Sequence, residues 1–126
     1  METIYGEEIS KIHGLLQSAQ KMLTGNPSEA GTLVDEALAL AYEAQYREGI
    51  AESLLLKSDI FFTEKYYEQA AAAAFQALDI YLKLEDQENR AICYQKLGNS
   101  YHKIGSENDA LEYYLEVLKF YKKKND

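Results

Sequence analysis

The chain has 126 residues, 47% of them hydrophobic and 27% charged, which is the composition of one folded domain rather than of a disordered segment. Its net charge of −8 argues against nucleic-acid binding, while its single cysteine cannot form an internal disulfide and fits the reducing cytoplasm. The longest apolar run, Ala70 to Phe75, is too short to cross a membrane, and the acidic N-terminal stretch lacks a signal-peptide core.

Helix-favouring residues dominate the chain, and its apolar residues recur at helical spacing from end to end. This pattern predicts six antiparallel helices, with boundaries good to a few residues, at 4–24, 27–45, 48–64, 67–84, 87–104 and 107–123. The expected helix stops are Gly25 and Gly105, and the expected caps of the second, fifth and sixth helices are Asn26, Asp86 and Ser106.

The sequence repeats with a period of 40 residues. The segment that starts at Arg90 aligns without a gap on the segment that starts at Ile50, so that Ala110 falls on Ala70. Each unit contains two predicted helices, which is typical of a helical repeat array. The predicted arrangement is a single domain over residues 1–126, with repeats at about 11–50, 51–90 and 91–126 and with residues 1–10 as an N-terminal extension of the first helix.

Small residues recur where the two helices of a unit are expected to cross. With the opening helix of repeat one aligned at an offset of 39, Ala19, Ser58 and Gly98 are equivalent. The matching positions on the second helices are also small, namely Ala30, Ala70 and Ala110. Glycine inside a helix costs about 1 kcal/mol relative to alanine, so we expect close packing of Gly98 on Ala110 to offset that cost.

The third repeat has a regular set of aromatic, small and aliphatic residues, namely Tyr94, Leu97, Gly98, Tyr101, Ala110, Tyr114 and Val117. At this spacing it resembles the signature of the tetratricopeptide repeat (TPR) family, with tyrosine where tryptophan is commonest. Repeat two matches at fewer positions, no repeat has the usual terminal proline, and the period exceeds the usual one of about 34 residues. This long-period variant resembles the repeats of bacterial signalling and regulatory proteins. The resemblance implies an all-α fold, a right-handed α-α superhelix of three helix-turn-helix repeats.

No residue pattern in the sequence indicates catalysis. Cys93 and His102 lie nine residues apart on one predicted helix and point to opposite sides, so they cannot share a metal ion. The sequence contains no Cys-x-x-Cys, no Glu-x-x-His, no glycine-rich phosphate loop and no Gly-x-Ser-x-Gly motif. We therefore expect a non-enzymatic protein with no catalytic residue, no metal and no cofactor. Cys93 is expected to be an inert, partly buried thiol, with redox sensing as the alternative.

In the TPR family the first helices line a concave wall, so the resemblance implies a binding groove on the first helices of this chain. The candidate partner-binding residues are Leu16, Gln20, Leu23, Leu55, Asp59, Phe62, Gln95, Lys96, Asn99, His102 and Lys103. The same wall includes Gln17, Glu52, Leu56 and Thr63. Leu55 and Phe62 predict an apolar anchor site for a peptide or helix, the alternative being that they pack against the neighbouring first helices. Asp59, opposite the basic residues of repeat three, argues against a clamp for a terminal carboxylate.

Two functions stay open at this point. The sequence favours a scaffold for protein–protein interaction, which holds a peptide or helix of a partner protein and serves as the N-terminal module of a larger regulator. The alternative is a regulatory domain that senses a peptide or a small ligand and is coupled to a signalling output domain. A small ligand that by itself raised the melting temperature would favour the sensor.

The last predicted helix carries more apolar residues than one face can bury. The residues expected to face inward are Ala110, Leu111, Tyr114, Val117 and Leu118. The candidate interface residues are Leu115, Leu118, Phe120 and Tyr121. We expect a second copy in a two-fold homodimer, or a further domain, to cover them. The lysines at 119 and 122–124 complement the helix dipole or offer a site for an acidic partner.

Overall fold

The computed structural model describes residues 2–126, with side chains from Tyr5 onward, so Met1 of the predicted extension lies outside the described residues. The described part of the chain forms six helices and no strand. They are α1 (Glu2–Met22), α2 (Pro27–Glu43), α3 (Arg47–Thr63), α4 (Tyr67–Lys83), α5 (Gln87–Ile104) and α6 (Glu107–Lys124). The six predicted helices are confirmed, and every end lies within two residues of its predicted position.

The helices form two layers that run along the repeat array. α1, α3 and α5 lie side by side and form the inner wall, while each second helix packs against the first helix of its own unit. α2 and α4 also pack against the first helix of the following unit. Stacking of this kind leaves a concave inner surface, which is where repeat proteins bind partners.

One recurring turn joins most of the helices. The residues at its centre are Gln45, Lys65, Glu85 and Gly105, which lie 20 positions apart and have φ angles between 52° and 95°. In the turn after α2 the N–H of Tyr46 donates to the carbonyl of Ala41 at 2.9 Å, which is the bond that closes a Schellman motif. Gly105 is confirmed as the stop of α5.

The first connector differs from the others, and the prediction that Gly25 stops α1 is wrong. α1 ends at Met22, whose carbonyl accepts a hydrogen bond from the N–H of Asn26 at 2.8 Å. Gly25 does not take a positive φ. The stretch between the two helix crossing points is one residue shorter in this repeat than in the others, so the recurring left-handed turn does not form.

Two of the three predicted caps hold their helices by side-chain hydrogen bonds. Asn26 and Asp86 each accept the backbone N–H three residues further on, at 3.2 and 3.1 Å. Ser106 occupies the cap position of α6, but its hydroxyl donates to the carboxylate of Asp109 instead of accepting a backbone N–H. The Ser106 hydroxyl therefore forms its hydrogen bond with the Asp109 carboxylate and does not cap the helix.

Equivalent positions of the three first helices are buried together. One such set comprises Ile12, Ala51 and Ala91, each at most 4% exposed, and a second comprises Ala19, Ser58 and Gly98. Both sets agree with the offset of 39 between α1 and α3. The shared core is therefore continuous from the first repeat to the third.

Gly98 makes room for an aromatic ring rather than for Ala110. A Cβ added to Gly98 would lie 2.6 Å from Cε1 of Tyr114, and its next two contacts are atoms of the same ring. The predicted contact between small residues does occur in repeat two, where the Ser58 hydroxyl donates to the carbonyl of Ala70 at 2.8 Å. Tyr114 occupies the same repeat position as Ala74 in repeat two. Because Gly98 has no side chain, the larger tyrosine ring fits where repeat two has only an alanine methyl.

Candidate functional site

The first helices of the three repeats line a cavity of about 520 Å3 on the concave side of the array. We call this cavity the groove. Its lining residues are His13, Leu16, Gln17, Gln20, Glu52, Leu55, Leu56, Asp59, Tyr81, Asn89, Ile92 and Lys96. All of them except Tyr81 of α4 come from α1, α3 and α5.

The floor of the groove is apolar, and part of it is open to a ligand. Leu16 and Leu56 are buried, so they chiefly support the wall. Leu55 is partly buried and packs against the core while it also lines the groove. Ile92 is 40% exposed. Leu55 and Ile92 therefore offer the apolar surface that a partner's side chain could cover, although the packing of Leu55 also satisfies the alternative given above.

An ion pair between two neighbouring first helices lines both the groove and a smaller cavity. Lys96 of α5 donates to the carboxylate of Asp59 of α3, and both side chains are more than two-thirds buried. A second, smaller cavity of about 80 Å3 lies beside this pair and is lined by Ser58, Asp59, Phe62, Lys96, Asn99 and Ser100. Because Lys96 is already neutralised by Asp59, it is not a free cation for a terminal carboxylate.

Glu52 stands at the acidic end of the groove. Burial raises the pKa of its carboxyl above the usual value, the charge of Glu48 raises it further, and His13 opposes both effects. His13 Nδ1 lies 3.6 Å from Glu52, and its Nε2 lies 3.0 Å from the hydroxyl of Tyr46. A cationic or hydrogen-bond-donating group of a ligand would relieve this repulsion and partial desolvation.

Each of the two cavities contains a buried hydroxyl without a hydrogen-bond partner among the described residues. In the groove it is that of Tyr81, which is 2% exposed, and in the smaller cavity it is that of Ser100, which is fully buried. Burial, and next the charge of Glu52, raises the pKa of Tyr81, so its hydroxyl stays protonated. Buried polar groups normally have partners, so these two hydroxyls are polar groups of the cavity walls whose hydrogen bonds are unsatisfied among the described residues.

Seven of the eleven candidate residues line the two cavities, namely Leu16, Gln20, Leu55, Asp59, Phe62, Lys96 and Asn99. The others lie outside. Leu23 falls in the connector after α1 and packs against the core. Gln95 and His102 lie about 100° or more around α5 from Lys96, and His102 instead contacts Glu107 at 3.0 Å. Lys103 follows Lys96 by two turns of α5, beyond both cavities.

Four groove residues were absent from the sequence prediction, and the repeat register indicates two of them. His13 and Ile92 occupy the same repeat position as Glu52, which the prediction did include, so transferring that position to the other first helices would have found both. Asn89 lies one turn before Ile92 on the same stripe. Tyr81 comes from a second helix, and a search confined to first helices could not find it.

Cys93 and the possible metal ligands are the remaining candidates for chemistry. Cys93 is fully buried, and burial raises its pKa to about 12, so almost no reactive thiolate exists at neutral pH. Among the side chains that the structure describes, from Tyr5 onward, no group of three ligating residues lies close enough together to hold a metal ion. None of the six helices is both long and apolar enough to span a membrane.

The outer face of α6 is a second candidate surface. The apolar residues exposed there are Leu111, Tyr114, Leu115, Leu118 and Tyr121, between 37% and 57% exposed. The expectation that Leu111 and Leu118 face inward is therefore wrong, because no further helix packs on this side of the described array. Tyr114 does pack inward against Gly98, and its hydroxyl donates to Asn99 at 2.6 Å, although 37% of the residue stays exposed. Of the candidate interface residues, Phe120 does not belong to this face. It is partly buried against α5, in a cleft with Tyr94 and Arg90.

Comparison with solved structures agrees with this architecture. The chain is similar to the crystal structure of the TPR domain of Arabidopsis FLU, with a TM-score of 0.84 and 16% sequence identity over 94% of this chain and 99% of that chain. No protein-family model and no curated protein matches the sequence. The described chain thus has the fold of a TPR domain, built from three pairs of helices.

Proposed function

We propose that this chain is a non-enzymatic scaffold that holds a peptide or helix of a partner protein in the groove. The TPR fold generally serves protein–protein interaction through its concave surface, which supports this class of function. The observation that carries the proposal is the combination, in one concave cavity, of apolar surface at Leu55 and Ile92 with the partly buried carboxyl of Glu52. A concave site of this kind suits an extended or helical segment.

The charges around the groove favour a basic partner segment. Lys96 is paired with Asp59, whereas Glu52 remains close to Glu48 and partly desolvated. A lysine or arginine of the partner would pair with Glu52, while a neighbouring apolar side chain would cover Ile92. Residues 1–88, which include these acids, carry a net charge of −10 and would attract such a segment.

Selection of peptides tests this proposal directly. A library of displayed peptides about 12 residues long is enriched on the wild-type chain, and the enriched peptides are titrated against Ile92→Glu. We expect apolar peptides with lysine or arginine, whose affinity falls at least about tenfold in Ile92→Glu because a charge replaces the apolar contact. Leu82→Glu is the matched control, since Leu82 is 43% exposed but does not line the groove.

Two results would contradict the groove as the binding site. One is the enrichment of peptides that bind Ile92→Glu and the wild type equally well. The other is a loss of affinity of the same size in Leu82→Glu. The double variant Leu55→Glu with Phe62→Glu is a further check, and its circular dichroism must be compared with that of the wild type because both side chains are partly buried.

The alternative function is that of a sensor for a peptide or small ligand, coupled to a signalling output domain. The two unpartnered hydroxyls, those of Tyr81 and Ser100, are the observation that favours it, because they could bind a compact polar ligand. A panel of amino acids, dipeptides and nucleotides tested by thermal shift distinguishes the two functions. A ligand that raises the melting temperature in the wild type but not in Tyr81→Phe supports the sensor. We place either function in the cytoplasm, in a regulatory protein.

A further inference from the structure

The two ends of the helical array carry opposite kinds of surface. α3 packs its leading face against α2, and the residues of that face include Ile50, Ser53, Leu56 and Ile60, all buried. The equivalent residues of α1 are Lys11, Gly14, Gln17 and Lys21, all exposed. The outer face of α1 is therefore made of polar and small residues, the kind of face that a repeat array can leave open to water.

The other end of the array keeps its stacking face apolar. On α4 this face comprises Ala71, Ala74, Leu78 and Tyr81, which are at most 7% exposed because α5 packs against α4. The equivalent residues of α6 are Leu111, Tyr114, Leu118 and Tyr121, which are 37–57% exposed. Together with Leu115 they form one continuous stripe, which we call the α6 face. A contiguous apolar stripe of this kind on a soluble domain indicates an interaction surface.

The charges at the two ends of the α6 face are opposite in sign. Glu107, Leu111, Leu118 and Lys122 fall within about 60° of one another around the helix, so Glu107 begins the stripe and Lys122 ends it. Lys122 has no ion pair among the described residues, and Glu107 contacts only His102. More broadly, the first half of α6 is acidic and its last turn is basic.

These residues are arranged symmetrically along the helix. Glu107 and Lys122 are equidistant from the midpoint between Tyr114 and Leu115, and so are Leu111 and Leu118. If two copies of α6 lie antiparallel about that midpoint, each Leu111 meets Leu118 of the partner subunit and each Glu107 meets Lys122 of the partner subunit. A two-fold axis requires this kind of self-complementary surface.

We propose that the α6 face is a homodimer interface in which two copies of α6 pack antiparallel about the midpoint between Tyr114 and Leu115. Head-to-tail stacking of α6 on α1 of a second copy is disfavoured, because the exposed face of α1 would bury Lys11 and Lys21 against leucines. The dimer does not depend on the groove function, since the α6 face and the groove share no residue.

Sedimentation equilibrium of the 126-residue chain, from about 1 to about 100 micromolar, tests the proposal. We expect a reversible monomer–dimer equilibrium in this range. Leu118→Glu should weaken the dimer more than about thirtyfold, because it places a charge in the apolar centre of the interface. The control Leu82→Glu changes a residue of similar exposure outside the α6 face and should leave the dimer unchanged.

Charge reversal tests the antiparallel pairing itself. Glu107→Lys and Lys122→Glu should each weaken the dimer about three- to tenfold, because two like-charged pairs replace two opposite ones. The double variant Glu107→Lys with Lys122→Glu should restore the affinity of the wild type. Lys123→Glu, about 100° further around the helix, is the control for a change in total charge.

Three outcomes would overturn the proposal. The first is a wild-type chain that stays monomeric throughout the range, which would assign the α6 face to a different partner. The second is a dimer that survives Leu118→Glu in a variant whose circular dichroism shows a folded chain. The third is a dimer in which the double charge reversal gives no recovery over the single ones, which would rule out the antiparallel arrangement.

Discussion

Repeats two and three place their residues at the same spacing but have different neighbours. In repeat two the stacking face of α4 is covered by α5, and its residues are small or buried, such as Ala74 and Leu78. In repeat three the equivalent positions hold Tyr114 and Leu118, which remain partly exposed. Whether an apolar position of a second helix is buried therefore depends on whether another helix packs over it. The same register gives buried core on α4 and an exposed apolar face on α6.

The largest expected difference between the two repeats is the cost of removing a leucine. Leu78→Ala should lower the free energy of unfolding by about 2–4 kcal/mol, because it leaves a cavity between α4 and α5. Leu118→Ala, at the equivalent exposed position, should cost less than about 1 kcal/mol. Urea unfolding of samples that sedimentation shows to be monomeric measures both. Equal costs would show that the two faces are equally covered, and the comparison would fail.

The second prediction concerns the packing of a large residue on a small one, Tyr114 of α6 on Gly98 of α5. Gly98→Leu should destabilise the chain by about 1–3 kcal/mol or more, because the new side chain collides with the ring of Tyr114. Gly98→Ala should also be destabilising in the wild type. In a Tyr114→Ala background, where the ring is absent, the same change should instead stabilise the helix by about 0.5–1 kcal/mol.

A double-mutant cycle over Gly98 and Tyr114 therefore checks the explanation of the glycine. Additive effects of the two substitutions would contradict it, since residues in contact are expected to couple. Ala110, the partner expected from the sequence, supplies the control. If Gly98→Ala couples to Ala110→Gly instead of to Tyr114→Ala, the close approach lies where the sequence predicted it and not where the structure places it.

The smallest expected effect distinguishes two buried serines of α3. Ser58 donates across the helix crossing to Ala70, whereas Ser53 donates to the carbonyl of Gly49 in its own helix at 2.7 Å. Ser58→Ala should cost about 1 kcal/mol, because it removes a hydrogen bond between two helices. Ser53→Ala should be close to neutral, since a local bond of this type slightly opposes the helix. Equal effects in thermal melts would mean that the crossing bond of repeat two adds no stability.

The sequence predicted the helices well because their ends are decided locally. Asn26 and Asp86 cap their helices through atoms three residues away, and Gly105 takes a backbone conformation that glycine favours. Gln45, Lys65 and Glu85 take the same conformation without glycine, so composition alone could not reveal that turn. Local patterns thus predicted where each helix ends, but not how most of the connectors are built.

Contacts between helices were predicted less well, for reasons that particular residues make clear. The ring of Tyr114 packs on Gly98, and spacing along one helix does not determine where a long side chain of another helix packs. Tyr81 reaches the groove from a second helix, although a second helix was expected to lie behind the wall. Leu111 was expected in the core because its equivalents are core in a full array. In the described residues no helix packs over α6 on that side, and Leu111 is 57% exposed.

Oxidative footprinting of tyrosines tests the comparison of the two repeats most directly. Tyr81 and Tyr121 are equivalent, yet Tyr81 is 2% exposed and Tyr121 is 50% exposed, with Tyr42 at 56% as an exposed reference. In a dilute sample that sedimentation shows to be monomeric, mass spectrometry after hydroxyl-radical labelling should show Tyr121 oxidised at a rate near that of Tyr42. Tyr81 should be at least about tenfold slower. Similar rates for Tyr81 and Tyr121 would contradict the account, because they would mean that α5 does not cover the face of α4 while α6 stands open.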